Sequence, residues 1–243
     1  MNYSNTSNSN SLKNIANSNK KNKNFWTYLI LIIWILFVVG ALTKTFVFQQ
    51  VNVVGASMEP NYFTNENLLI NQIDTSVVRG QVVAVFEDPT VIKDKTYTGR
   101  FVNKYTSIFF LKRVIGLPGE SIEMIGGDVI IYNTENPSGA VLKEDYVDPN
   151  YKAILKANNF YFKKTLVSQN HYFLLGDHRN NSKDSRNLGA FPDYAILGKE
   201  VVKYWPLGKL RYFSLPNYTF SSIDADVQRS LDIQKTSVLY ERR

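Results

Sequence analysis

The sequence predicts a mainly β protein, an antiparallel-strand domain with a smaller inserted β subdomain, preceded by one transmembrane helix. Three observations point there. Short runs rich in Val, Ile, Phe and Tyr recur after residue 45, separated by Gly, Pro, Asn and Asp. No long stretch among them shows a convincing helical period. Before them stands a single run of uncharged, mostly aliphatic and aromatic residues, Phe25 to Thr43.

Residues 1–24 are rich in Asn, Ser and Lys with almost no apolar content, too little to offset the entropy of ordering, and read as a disordered cytoplasmic tail. Residues 25–44 read as the anchor. As a helix, the run from Phe25 to Thr43 spans about 29 Å, close to the roughly 30 Å hydrocarbon core of a bilayer. Val39 and Ala41 have the small-residue spacing of a cleavable leader, but they lie inside an apolar run longer than a leader's core. Four lysines precede the span and no acid precedes Glu59, so the positive-inside rule keeps the N-terminus cytoplasmic and sends the main domain to the outer side of the cell membrane.

The predicted strands are Leu68 to Ile73, Val82 to Phe86, Phe109 to Ile115, Asp128 to Tyr132, Tyr172 to Leu175 and Val201 to Trp205, with a short extended run over Phe46 to Val54. They place the main domain at 45–215. Residues 133–170 are more polar and suit an inserted surface subdomain or an extended hairpin. Residues 216–243 form a C-terminal extension.

Composition excludes several function classes. Formal charge is +7, but Lys13, Lys20, Lys21, Lys23 and Lys44 supply five of the 28 basic residues. Past Lys44 the balance is 23 basic against 21 acidic, which offers no phosphate-binding field, so no nucleic-acid partner is expected. Without cysteine there is no disulfide, thiolate metal site or thiol nucleophile. Only His171 and His178 are available as imidazole ligands, so neither metal nor cofactor is expected.

Three segments carry chemistry. In Gly55-Ala56-Ser57-Met58-Glu59-Pro60, Gly frees the backbone before the serine and Pro ends regular structure after it, which can present the Ser57 hydroxyl on a turn. A serine in such a turn is more often only a turn serine. In Phe109 to Glu120, strand alternation points Lys112 to the same face as Phe110 and Val114. Burial there would lower the lysine pKa and free its amine to act as a base, whereas an edge or snorkelling lysine would do nothing. The third segment, Gly176 to Arg186, is a polar loop after an apolar strand, either a solvated loop or an organised site. In it Ser182 could hold the lysine amine, and Asp184 could pair with Arg186.

In this order the segments resemble bacterial type I signal peptidases. The family's Ser-Met-x-Pro stands as Ser57, Met58 and Pro60, and its Lys-Arg-x-x-Gly-x-Pro-Gly as Lys112, Arg113, Gly116, Pro118 and Gly119. Its third motif stands as Gly176, Asp177, Arg179, Asn181, Ser182, Asp184, Ser185 and Arg186, and the likeness continues through Gly189, Pro192, Gly198, Lys199, Trp205 and Pro206.

The resemblance implies a membrane-bound serine endopeptidase in which Ser57 attacks and Lys112 is the general base, with Ser182, Asp184 and Arg186 in support. It implies substrate contacts from Val53, Val54, Gly55, Met58, Tyr62, Phe110 and Leu111, cleavage after small residues at Ala-x-Ala sites, and an oxyanion donor in the Ser57 N–H. Gly55 stands where some members add a serine hydroxyl, and His178 where Asn is frequent. The implied partners are signal peptides of secreted preproteins, the lipid bilayer and a nearby secretion translocon. Phe46-Val47-Phe48 are candidates to rest on the lipid surface.

Rival readings are a self-cleaving Ser/Lys repressor, a noncatalytic membrane-anchored binding domain, and a Ser-His-Asp hydrolase using His171 or His178. The anchor and the lack of a basic helical N-terminal domain oppose the first.

Overall fold

The computed structural model describes residues 25–43, 47–74, 76–88 and 109–240, with backbone only for 236–240. The expectations for the 1–24 tail, Lys44 and Phe46 fall outside the described residues. The chain divides into two units, one ending at Val47 and one starting at Phe48. In the first, helix α1 (Phe25–Thr43) spans 19 residues, none of them buried against protein. By length and composition it is long and apolar enough to cross a membrane.

The second unit is built on two antiparallel sheets. The larger runs in the order β1 (Phe48–Asn52), β2 (Asn67–Asn71), β11 (Ile196–Trp205), β3 (Val82–Phe86), β4 (Phe109–Gly116), β9 (His171–Leu175) and β10 (Phe191–Pro192), with β12 (Arg211–Tyr212) also paired to β11. The smaller runs β13 (Phe220–Ser221), β7 (Ala140–Leu142), β6 (Asp128–Tyr132), β5 (Ser121–Ile125) and β8 (Tyr161–Leu166). It therefore starts before residue 133 and borrows a strand from the C-terminal segment.

All five residues of β3 are buried. Val82, Ala84 and Phe86 pack with Val53, Met58, Tyr62, Leu68, Ile70 and Leu197 on one face. Val83 and Val85 pack with Val114, Leu174, Phe191, Ala195 and Ile196 on the other. A strand covered on both sides reads as a continuous apolar run, which is why Val82 to Phe86 was visible in sequence. A third cluster joins the sheets, with Ile115, Phe173 and Leu175 of the larger against Ile122, Met124, Val129, Ile131 and Leu142 of the smaller.

Two helices depart from the sequence expectation. Helix α2 (Pro149–Ala157) lies in the segment read as a subdomain or hairpin, and helix α4 (Ala225–Tyr240) in the C-terminal extension. Neither has a wide apolar stripe. The first is set by its end, where Asp148 accepts from Asn150 N–H and Pro149 opens the first turn, and it buries only Leu155. The second is capped by Asp224, whose carboxylate accepts from Val227 N–H at 2.8 Å, and packs Leu231 on Ile125, Ile130 and Val141. Capping and one anchor residue leave little periodic signal.

Three buried ion pairs cross the unit. Arg113 is held by Asp177 at 2.8 and 2.6 Å and donates to Gly80 O at 2.9 Å. Lys203 pairs with Glu66 at 2.9 Å. Arg179 makes a two-pronged pair with Glu144, both side chains fully buried, and Tyr146 OH donates to the same carboxylate at 2.6 Å. Burial pushes the Glu144 carboxyl up, but Arg179 beside it prevails and holds it below the ordinary range. Removing one partner strands a buried charge. Glu144→Ala is expected to lower the unfolding free energy by about 3–5 kcal/mol in urea titrations, and the double variant Glu144→Met, Arg179→Met to recover most of the loss.

Candidate active site

The turn that carries Ser57 follows β1 directly. Gly55 sits at φ 88°, a left-handed conformation that a side chain would strain. On the far side of the serine, Met58 and Tyr62 are each 1% exposed and pin the turn to the core, and Met58 O accepts from Asn61 and Tyr62 N–H. A turn so anchored holds its serine at a defined height above the sheet.

Lys112 reaches Ser57 from β4. Its Nζ lies 2.9 Å from Ser57 Oγ and 3.0 Å from Leu111 O, and the side chain passes the Phe110 ring at 4.9 Å, on the face that strand alternation predicts. Lys112 is 2% exposed. Burial pulls its pKa down to about 8, against the opposing pull of Asp184 and Asp177 and with help from Arg186. A lysine in that state is neutral for a useful fraction of the time near neutral pH.

The loop after β9 packs against this pair. Asp184 caps the short helix α3 (Ser185–Leu188), accepts from Gly176 N–H at 3.0 Å, and is held by Arg186 through two bonds of 2.8 Å. Arg186 also donates to Arg179 O at 2.6 Å, and Ser185 Oγ accepts from Leu174 N–H at 2.8 Å. Gly176 is a contact glycine: a Cβ there would lie 2.2 Å from Ser182 Oγ and 2.5 Å from Ser57 O. Only a bare Cα lets the loop approach this closely.

Ser182 therefore sits beside the site, but it makes no hydrogen bond to Lys112. Its Oγ is buried without a partner in this structure. His178 likewise stands at the turn and not at the hydroxyl: its backbone N–H donates to Ser57 O and its ring Nδ1 contacts Ala56 O, each at 3.1 Å. His171 contacts Gln169 O through Nδ1 at 2.9 Å.

Beside the serine and lysine opens a groove of about 420 Å³. Val53, Val54, Gly55, Met58, Phe110 and Leu111 all line it. Tyr62 does not. Its hydroxyl donates to Glu200 inside the core, where burial pushes the phenol pKa up, and it faces a separate cavity with Arg113 and Tyr146. Gln49, Gln50, Val51, Asn52 and Phe109 complete the lining and escaped the sequence reading. The signal for them is register, not residue type. Among the described residues, β1 is paired only to β2, and β4 over Phe109 to Lys112 only to β3, because β9 joins β4 from Arg113 onward. Among those residues the groove is thus bordered by two strands each lacking a neighbour on one side.

Residues 26–205 match the profile of the family described as signal peptidase, peptidase S26. Signal peptidase I of Leptolyngbya laminosa is 33% identical over 172 residues, covering 69% of this chain and 73% of that protein. Signal peptidase I P of Bacillus subtilis subsp. natto is 33% identical over 191 residues, covering 77% and 91%. A crystal structure of a signal peptidase I from Enterococcus faecalis V583 is 25% identical, covers 51% of this chain and 96% of its own, and superposes with a TM-score of 0.36. With a family match over most of its length, and a serine and a lysine in hydrogen-bond contact beside an open groove, the chain belongs to the peptidase S26 family of bacterial type I signal peptidases, which are serine endopeptidases.

Proposed function

We propose that this chain is a membrane-bound endopeptidase that removes signal peptides from exported preproteins after small residues, at Ala-x-Ala sites, with Ser57 and Lys112 as its dyad. Family membership makes it a signal-peptide-cleaving peptidase. The finer reading rests on one observation above the others: a buried lysine 2.9 Å from the Ser57 hydroxyl, at the side of an open groove.

The substrate enters extended and lies between β1 and β4, completing the hydrogen bonding of both edges. Val53, Met58, Phe110 and Leu111 leave room only for small side chains ahead of the cut. Neutral Lys112 takes the hydroxyl proton as Ser57 Oγ bonds to the scissile carbonyl carbon, and the oxygen takes up negative charge facing the Ser57 N–H. The lysinium then gives its proton to the leaving amine as the C–N bond breaks. Lys112, neutral again, deprotonates the water that releases the acyl group from Ser57. Asp184 and Arg186 brace the loop behind the lysine, and Ser182 stands ready to orient the amine.

The apolar helix Phe25–Thr43 serves as a single-pass anchor with the N-terminus cytoplasmic and the catalytic unit outside. Tethering confines the site to the membrane surface, where signal peptides leave the bilayer near the translocon, and raises their effective concentration.

Cleavage of a preprotein with an Ala-x-Ala site, followed by gel, tests the dyad. Ser57→Ala and Lys112→Ala are each expected to lose roughly a thousand-fold or more in kcat/KM, and persistent cleavage by the lysine variant would overturn the assignment. Because only the neutral amine is active, kcat/KM in the wild type should rise with pH and reach half its plateau near pH 8. A flat profile between pH 6 and about 9 contradicts a lysine base.

The same burial weakens the fold. Lys112 has a pKa of about 8 when folded against 10.5 when unfolded, so the folded state holds its proton less tightly. The penalty is present in full below pH 8, about 3 kcal/mol, and fades as pH rises toward 10.5. Lys112→Met is expected to stabilise the protein by up to about 3 kcal/mol at pH 7, with the gain shrinking by pH 10, in denaturant titrations at the two pH values.

A further inference from the structure

His178 takes no part in the chemistry above, yet it grips the backbone of the nucleophile. Its N–H donates to Ser57 O at 3.1 Å, and its ring Nδ1 lies 3.1 Å from Ala56 O. A carbonyl oxygen can only accept, so Nδ1 carries the proton. The ring is stacked on Tyr151 of helix α2, with centroids 3.9 Å apart and planes within 9°. Tyr151 thus sets the tilt of the imidazole, and the imidazole reaches the residue before the serine.

The Ala56 carbonyl and the Ser57 N–H belong to one planar trans peptide, so they point in opposite directions. Pinning the oxygen aims the N–H. Glu59 N–H also donates to Ala56 O, at 3.1 Å, so the carbonyl is held from two sides. Among the described residues the Ser57 N–H has no acceptor of its own. Two donors on the carbonyl also polarise the amide and make its N–H a stronger donor.

We propose that His178 is a positioning residue for the oxyanion hole: through Ala56 O it orients and polarises the peptide whose N–H faces the developing negative charge. The inference rests on the reading of Ser57 as nucleophile. It matters most in this chain because Gly55 brings no hydroxyl, leaving the backbone N–H with a larger share of the work.

The test is steady-state cleavage of one Ala-x-Ala preprotein between pH 6 and about 10 by the wild type and by His178→Phe, His178→Asn and Lys112→Ala, each well below its own unfolding midpoint. Phenylalanine keeps a ring to stack on Tyr151 but has no donor, while asparagine places an amide N–H where Nδ1–H stands. His178→Phe is expected to lose roughly 10- to 100-fold in kcat with KM changed less than about twofold and the pH midpoint unmoved, and His178→Asn to come back within about threefold of wild type. Wild-type kcat in the phenylalanine variant, equal loss in both variants, or a loss confined to KM overturns the proposal. Lys112→Ala separates the two readings. Cleavage by that variant refutes the dyad, whereas an inactive Lys112→Ala beside a fully active His178→Phe refutes the His178 assignment alone.

Discussion

The site depends on keeping water away from one ammonium group. Lys112 lies on β4 among the Phe110 ring, the Ser57 turn and the loop after β9, at 2% exposure. Desolvation is the largest influence on its pKa, and the two nearby carboxylates oppose it. If Asp184 acted on the lysine alone, it would favour the charged form. Arg186 closes on Asp184 through two hydrogen bonds and itself pushes the lysine pKa down. The carboxylate is thereby free to cap a helix and tie down Gly176 with less pull on the lysine's charge.

Strand alternation extends this logic to the next residue. Arg113 follows Lys112 and points to the opposite face, where Asp177 holds it in a fork. Asp177 opens the same loop that places Asp184, so of two consecutive residues of β4 Arg113 is bonded to that loop while Lys112 feels its carboxylates only through space. Arg179, two positions on, is locked by Glu144 from the segment between β7 and α2. Buried ion pairs bring little net stability over apolar residues of the same size. What these contribute is register: the loop has one seat, and in it Gly176 meets the Ser57 carbonyl.

The sequence revealed those parts of the structure whose physics is local. The apolar helix Phe25–Thr43, the apolar strands and the turn around Ser57 each have a compositional or periodic mark. Ser57 and Lys112 were readable only as members of ordered motifs, since 54 residues stand between them and neither motif states that their atoms meet. Helices α2 and α4 were invisible because they are set by Asp148, Pro149 and Asp224 at their ends and bury one leucine each. Tyr62 was assigned to the groove only through the family resemblance. The turn reverses it inward, where Glu200 accepts its hydroxyl. The stack of Tyr151 on His178 had no local trace at all, because 26 residues stand between the two.

The groove's two borders that are unpaired among the described residues, along β1 and along Phe109 to Lys112 of β4, bear on what this enzyme can refuse. Borders of this kind bind main chain, which every polypeptide has, so side-chain identity is checked only at the few positions that face inward. A segment whose amides are already spent in a helix or sheet has nothing to offer such borders. On the proposed mode of binding, folded regions of a mature protein would be spared without being recognised, and the moment of cutting would be set by when the segment after a leader's apolar core becomes extended.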